Sequence, residues 1–189
     1  SLACVLLVFV LMAFSKKYRE LQVRVDLSSA GTDIVTGLPD PHEFEVRVDV
    51  ECRRCAREFT PLALMYIGFD IEELEEQDAV KVAQNLVHAV SRPGDMVAKV
   101  DATTFGLILP SSNELVLQLA DRCLKGVQQL EIPYPVSIGV RTFQPTSDLG
   151  CEVAMASVQQ LLIHAKTHGG NQVCADTEQL VNPSVTYSY

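Results

Sequence analysis

Basic residues are scarce in this chain of 189 residues: 15 lysines and arginines stand against 24 aspartates and glutamates, and the formal net charge is −9 at pH 7. A charge of this sign repels the phosphates of nucleic acids, so the sequence predicts no nucleic-acid partner. Cysteine is also sparse, since six residues are too few for a disulfide scaffold, and reduced, mostly buried thiols are expected. The remaining composition, 48% hydrophobic and 21% charged, is that of one globular domain with an appendage.

The longest uncharged apolar run, residues 2–14, is shorter than the ~20 residues that a helix needs to cross a bilayer. Lys16, Lys17 and Arg19 follow this run directly, which is the pattern of a cytoplasmic flank. Two interpretations of residues 1–22 stay open. They are the remnant of a membrane anchor, which would tether a cytoplasmic domain to the inner membrane, or a helix that packs on the domain or forms a dimer.

Apolar periodicity divides most of the chain into alternating helices and strands. Residues 41–59 are ambiguous, because Phe44, Val46 and Val48 alternate as in a strand, whereas Phe44, Val48 and Cys52 form a helical stripe; the length of the segment favours a helix. The further predicted helices are 79–90, 114–130 and 152–166, and the predicted strands are 62–69, 96–100, 105–109, 135–143 and 171–175. This order, with its central hairpin, predicts an α/β (α+β) sandwich in which helices flank a mostly antiparallel sheet, as in ferredoxin-like or polymerase-palm folds.

Four short motifs follow one another along the chain: D-I-V-T-G-L at residues 33–38, Phe44, V-S-I-G-V at 136–140, and A-K-x-x-G-x-N-x-V at 165–173. In order and spacing they resemble the motifs of GGDEF domains, the diguanylate cyclase family of bacterial signalling proteins. The resemblance implies the nucleotidyl-cyclase palm fold. It assigns residues 23–178 to a GGDEF domain and leaves 179–189 as a C-terminal tail.

The family's catalytic G-G-D/E-E-F hairpin falls on D-A-T-T-F at residues 101–105. In an active member, the resemblance implies, the glycines approach the nucleotide and the acidic residues help to hold the metal for phosphoryl transfer. Here both acidic positions are threonine, the other metal aspartate has become glycine, the segment that reads guanine is missing, and only Lys166 remains of the phosphate contacts. The degenerate active-site positions are Gly68, Asp101, Ala102, Thr103, Thr104, Phe105 and Gly170. We therefore expect no catalytic residue, no bound metal, no cofactor and no cyclase activity.

One functional element of the family is retained. Arg92-Pro93-Gly94-Asp95 resembles the R-x-x-D motif with which some members bind cyclic di-GMP as an inhibitor, and five residues separate it from the hairpin, as in the family. An arginine can form a bidentate pair with phosphate or guanine, and an aspartate can accept from guanine. The resemblance suggests Arg122, in Ala120-Asp121-Arg122, as the second arginine. The alternative is that Arg92 is a solvated turn residue paired with Asp95.

Other candidate sites have less support. Cys52 and Cys55 have metal-ligand spacing, but the sequence has no second C-x-x-C, and His164 and His168 lie far along the chain, whereas a structural zinc site needs four ligands. Packing on one helix face explains the cysteines better. The acidic residues of segment 72–76 could bind a cation, although a solvated helix start is the simpler interpretation.

These observations lead to two hypotheses of function. The first is a catalytically inactive GGDEF domain that acts as a receptor for cyclic di-GMP and passes ligand occupancy to a partner protein or within a homodimer. The alternative is a ligand-free scaffold that uses the same fold for dimerisation or for regulation of a partner. Arg92 and Asp95 discriminate between them, because a pure scaffold does not need this pair.

Overall fold

The computed structural model describes residues 31–90, 92–111, 115–146 and 151–177. Residues 1–22 and the tail at 179–189 lie outside this range, so the predictions of an anchor or dimerisation helix and of a tail stay predictions. Within the described part of the chain, no helix is long and apolar enough to cross a membrane.

The described residues form four helices and five strands in the predicted order. The helices are α1 (Pro41–Glu58), α2 (Glu76–Ala89), α3 (Leu115–Gln128) and α4 (Cys151–Thr167). The strands are β1 (Leu62–Phe69), β2 (Met96–Lys99), β3 (Thr104–Pro110), β4 (Val136–Phe143) and β5 (Val173–Thr177).

The ambiguous segment is a helix, as its length predicted. Its start is capped by Asp40, whose side chain accepts from the backbone N–H of Glu43 at 2.9 Å, and Pro41 occupies the first turn. It ends at Phe59, which adopts the left-handed conformation with φ 54°. The helical stripe is buried. Val46 and Val50, which would share its face in a strand but not in a helix, are 45% and 48% exposed.

A single sheet of order β2-β3-β1-β4-β5 forms the middle layer. The central strand β1 is buried along its whole length and runs antiparallel to both β3 and β4, while β5 is parallel to β4. The predicted mostly antiparallel sheet is therefore confirmed. In this register Gly68, near the end of β1, lies between Thr104 on β3 and Ser137 on β4.

Helices cover both faces of the sheet. One core contains the buried faces of α2 and α3, with Val82, Leu86 and Cys123 among its members, and the other contains those of α1 and α4, with Phe44, Val48 and Leu162. Because the two cores share the sheet, the fold is a three-layer α/β sandwich.

The expectation of reduced thiols is wrong for one pair. Cys52 on α1 and Cys151 at the start of α4 form a disulfide. The two helices pack side by side on one face of the sheet and bring the two Cα atoms to 6.5 Å, a separation that a disulfide can bridge. Of the other cysteines in the described residues, Cys55 and Cys123 are free and buried, and Cys174 is free and half-buried.

Candidate functional site

The turn between β2 and β3, residues 100–103, carries most of the hairpin that the sequence analysis singled out. The side chain of Asp101 bonds within the turn: its carboxylate accepts from the backbone N–H of Thr103 at 2.8 Å and lies 3.3 Å from the hydroxyl of Thr103. Such local bonds are typical of aspartate in turns. Thr104 is buried on β3, with 2% of its surface exposed. The two threonines that are predicted to replace the acidic residues of the family hairpin thus lie in the turn and on the buried strand.

Lys99 also holds this turn, and the sequence analysis did not single it out. Its ammonium donates to the carbonyl of Ala102 at 3.1 Å and lies 4.1 Å from the ring centroid of Phe105. Burial lowers the pKa of Lys99, while the charges of Asp33 and Asp101 raise it. A lysine at the end of the otherwise apolar strand M-V-A-K was the available signal in the sequence.

Gly68 lies under the last turn of α4. A Cβ added to it would lie 3.0 Å from Cδ2 of Leu162, 3.1 Å from Cε of Lys166 and 3.2 Å from Nζ of Lys166. The ammonium of Lys166 donates to the carbonyl of Phe69 at 2.7 Å. Burial lowers the pKa of Lys166, and the charges of Asp101 and Asp70 raise it. The position assigned to a metal aspartate therefore has no side chain, and a lysine fills the space above it.

Gly170, which is predicted to replace a phosphate-binding arginine, lies just beyond the end of α4. Its φ is +66°, and its N–H donates to the carbonyl of Ala165 at 3.1 Å. A Cβ there would lie 3.1 Å from Cβ of Pro135. The left-handed backbone suits glycine, so this residue ends the helix and offers no charge to a phosphate.

The donor set at the end of β1 does not fit a divalent cation. Magnesium prefers carboxylate oxygens in octahedral arrangement, and Gly68, Thr103 and Thr104 supply none. Across the described ranges, no group of three or more histidines, cysteines, aspartates or glutamates could hold a metal ion. Cys52 of the C-x-x-C segment is bonded to Cys151, and His164 and His168 stack on each other with ring centroids 3.9 Å apart.

The R-x-x-D segment forms a tight turn before β2. Gly94 has φ +110°, and the N–H of Asp95 donates to the carbonyl of Arg92 at 3.1 Å. Arg92 is exposed, and Asp95 is half-buried. Burial raises the pKa of Asp95, whereas the backbone hydrogen bond and the charge of Arg92 lower it.

A cavity of about 220 Å³ lies between this turn, the end of α2 and the first half of α3. Arg92, Asp95 and Arg122 all line it, together with Gln118; we call it the arginine pocket. The guanidinium of Arg122 donates to the carbonyl of Ala89 at the end of α2, 33 residues away in sequence. The fold thus brings together the three residues that the sequence analysis named for ligand binding.

A five-stranded mixed sheet flanked by four helices in the described chain, with a β2–β3 hairpin beside the end of β1, defines the palm-like α/β fold of GGDEF domains. The family model described as diguanylate cyclase, GGDEF domain, matches residues 77–172, about half of the chain. The chain belongs to the GGDEF family. No curated protein matches its sequence significantly.

Solved structures show the same fold at low sequence identity. The GGDEF domain of DgcB from Caulobacter crescentus, solved in complex with c-di-GMP, is 19% identical; the match covers 77% of this chain and 95% of that chain, with a TM-score of 0.66. The diguanylate cyclase SiaD from Pseudomonas aeruginosa, solved with its activator SiaC, is 16% identical over 89% of this chain and 72% of that one, with a TM-score of 0.70. The FimX GGDEF domain from Pseudomonas aeruginosa is 17% identical; the match covers 77% of this chain and 99% of that chain, with a TM-score of 0.68.

Proposed function

We propose that this chain is a catalytically inactive GGDEF domain that binds cyclic di-GMP in the arginine pocket and passes its occupancy to a partner. The observation that carries the proposal is that Arg92, Asp95 and Arg122 line one cavity, although they come from a turn and a separate helix. A chance R-x-x-D turn would not require a second arginine from α3 beside it.

The chemistry of the pocket suits a cyclic dinucleotide. Two guanidinium groups offer planar, bidentate donors to phosphate oxygens or to the guanine O6 and N7 edge. The Asp95 carboxylate can accept from the guanine N1 and N2 donors. Because the family resemblance implies an intercalated ligand pair that bridges two surfaces, the exposed side of the pocket would face a second GGDEF domain or a partner protein.

Inactivity as a cyclase is supported by changes at four positions. Gly68, Thr103 and Thr104 supply no carboxylate for a metal, and Lys166 is engaged with the carbonyl of Phe69. Gly170 gives no arginine for the triphosphate and has a backbone conformation that favours glycine. Each change removes part of the charge stabilisation that phosphoryl transfer requires.

We propose that the N-terminal segment determines where the domain acts. Residues 1–22 would tether the domain to the cytoplasmic side of the inner membrane or pair it with a second copy. In either case ligand occupancy at the arginine pocket would be passed through α1, which follows that segment in the chain, or directly to a bound protein.

Calorimetric titration of the domain with cyclic di-GMP, with GTP as the control ligand, tests the proposal. We expect saturable micromolar binding of cyclic di-GMP and none of GTP. Arg92→Ala should weaken binding at least fivefold, whereas the matched variant Arg57→Ala, in the exposed last turn of α1, should bind as the wild type does. Absence of saturable binding by the wild type would favour the ligand-free scaffold instead.

A further inference from the structure

A cysteine and a histidine from different elements meet beside α4, whereas the arginine pocket lies beside α2 and α3. Nδ1 of His164 on α4 lies 3.4 Å from Sγ of Cys174 on β5. We propose that this pair is a site of reversible thiol modification, in which Cys174 exchanges with low-molecular-weight disulfides and His164 accepts the proton of its thiol. The inference stands whether or not the arginine pocket binds cyclic di-GMP.

The close approach of α4 to the sheet brings the two side chains together. Gly139 on β4 permits this approach, since a Cβ there would lie 2.5 Å from the backbone nitrogen of Leu162 and 2.6 Å from the carbonyl oxygen of Val158. Cys174 is the register partner of Gly139 on the neighbouring strand β5. It therefore lies at the level of the helical turn that carries His164. In the described part of the chain β5 is an outer strand of the sheet, so a reagent can reach the pair from solvent.

A second histidine holds the imidazole of His164 in place. The rings of His164 and His168 stack, with centroids 3.9 Å apart and planes inclined by 18°. Nδ1 of His168 donates to the carbonyl of His164 at 2.9 Å, because a carbonyl can only accept, and this bond fixes the second ring on the helix. The stack leaves Nδ1 of His164 beside the sulfur, which is the arrangement that a general base needs.

Exposure distinguishes Cys174 from the other cysteines of the described residues. Cys55 and Cys123 are buried, and burial raises the pKa of Cys123 to about 11. Cys52 and Cys151 are bonded to each other. A thiol is reactive when it can be deprotonated and reached. Within the described ranges, the half-buried Cys174 combines access with an imidazole at hydrogen-bond distance.

The charged groups near the pair offset one another. Asp176 follows Cys174 by two residues on β5 and so lies on the same face of the sheet. Arg141 on β4 pairs with the carboxylate of Asp176 at 3.9 Å and donates to Ser157 on α4 at 2.6 Å. Lys166 on α4 donates to a main-chain carbonyl of β1 instead. The pairing with Arg141 reduces the repulsion that Asp176 would exert on a thiolate at Cys174.

The exchange begins when Nδ1 of His164 takes the proton of the Cys174 thiol. The thiolate attacks one sulfur of the disulfide, a new S–S bond forms to Cys174, and the original S–S bond breaks. The leaving thiolate takes up the proton from the imidazolium and departs as a thiol. The sulfur of Cys174 is oxidised and the departing sulfur is reduced, so no further oxidant is needed and an excess of thiol reverses the reaction.

Incubation of the full chain with glutathione disulfide, followed by peptide mass spectrometry, tests where the adduct forms. Because Cys4 lies outside the described residues, the reference protein and all variants carry Cys4→Ser. We expect one glutathione per chain, on Cys174, and its release by an excess of reduced thiol. Cys55 and Cys123 should react only after unfolding, since both are buried.

The rate of alkylation by iodoacetamide at pH 7 tests the role of His164. His164→Phe keeps a ring to stack on His168, and His164→Gln keeps a hydrogen-bonding group, but neither can accept the proton. Both should react roughly tenfold more slowly than the reference protein or slower still. The matched control His88→Phe, in the exposed last turn of α2, should react as the reference does. Cys174 of the reference protein should also react faster than the thiol of free glutathione.

Four outcomes would overturn the proposal. They are no adduct on Cys174, adducts on Cys55 or Cys123 of the folded chain at the same rate, alkylation of both His164 variants at the reference rate, and alkylation of Cys174 more slowly than free glutathione. A His164 variant that also labels Cys55 and Cys123 is unfolded, and the other variant then decides. If neither variant folds, the comparison with free glutathione decides, because it needs no substitution of His164.

Discussion

Substitution of Arg122 should have two separable effects. Its guanidinium donates to the carbonyl of Ala89 from an exposed position, so Arg122→Ala should remove a hydrogen bond worth about 0.5 to 1.5 kcal/mol to folding. For a domain of this size that corresponds to roughly 1 to 6 °C in melting temperature. Loss of a bidentate contact with phosphate or guanine should cost about 1 to 3 kcal/mol more in binding, a weakening of roughly 5- to 150-fold.

The assay pairs calorimetric titration of cyclic di-GMP with thermal unfolding for three variants. Arg92→Ala should weaken binding with little change in melting temperature, because the guanidinium of Arg92 is exposed to solvent. Arg122→Ala should lower both the affinity and the melting temperature. Arg122→Lys keeps the charge but loses the planar guanidinium, so its affinity should lie between those of Arg122→Ala and the wild type. If Arg122→Ala is destabilised but binds as tightly as wild type, Arg122 only joins α3 to α2 and the reasoning is refuted.

Four further outcomes are expected. The domain should make no cyclic di-GMP from GTP with Mg²⁺ or Mn²⁺; product formation that Thr103→Ala abolishes would contradict this. Affinity for cyclic di-GMP should fall on acidification, because binding needs the ionised carboxylate of Asp95. The fall should begin at a higher pH than it would for an ordinary aspartate, because burial raises the pKa of Asp95. Affinity that does not change with pH in this range would argue against the role of Asp95. The disulfide between Cys52 and Cys151 closes a loop of sequence separation 99, worth about 5 kcal/mol in the chain-entropy description, so a reductant should lower the unfolding midpoint of the wild type but not of Cys52→Ser. Removal of residues 1–22 should reduce membrane association or dimerisation, and identical behaviour of both forms by sedimentation and liposome flotation would show that the segment does neither.

Much of the fold could be predicted from local patterns. The apolar run at residues 62–69 predicted the buried central strand with its observed bounds, and the turn at Arg92 to Asp95 predicted the chain reversal before β2. Segment 41–59 was ambiguous, because a strand and a helix both gave it an apolar face. Its packing against α4 and the sheet decided for the helix, since only a helix buries Phe44, Val48 and Cys52 while it leaves Val46 and Val50 exposed.

By itself the sequence determined the order of elements, the family motifs and the identity of hairpin residues 101–105, because these depend on residue identity and short-range periodicity. Only the tertiary structure decided which distant residues meet. It placed Arg122 beside Arg92 and Asp95, and it closed the disulfide between Cys52 and Cys151. It also set Lys166 on the carbonyl of Phe69, 97 residues earlier in the chain. Such contacts depend on strand order and on how closely α4 packs against Gly139, and neither is encoded in any single stretch of sequence.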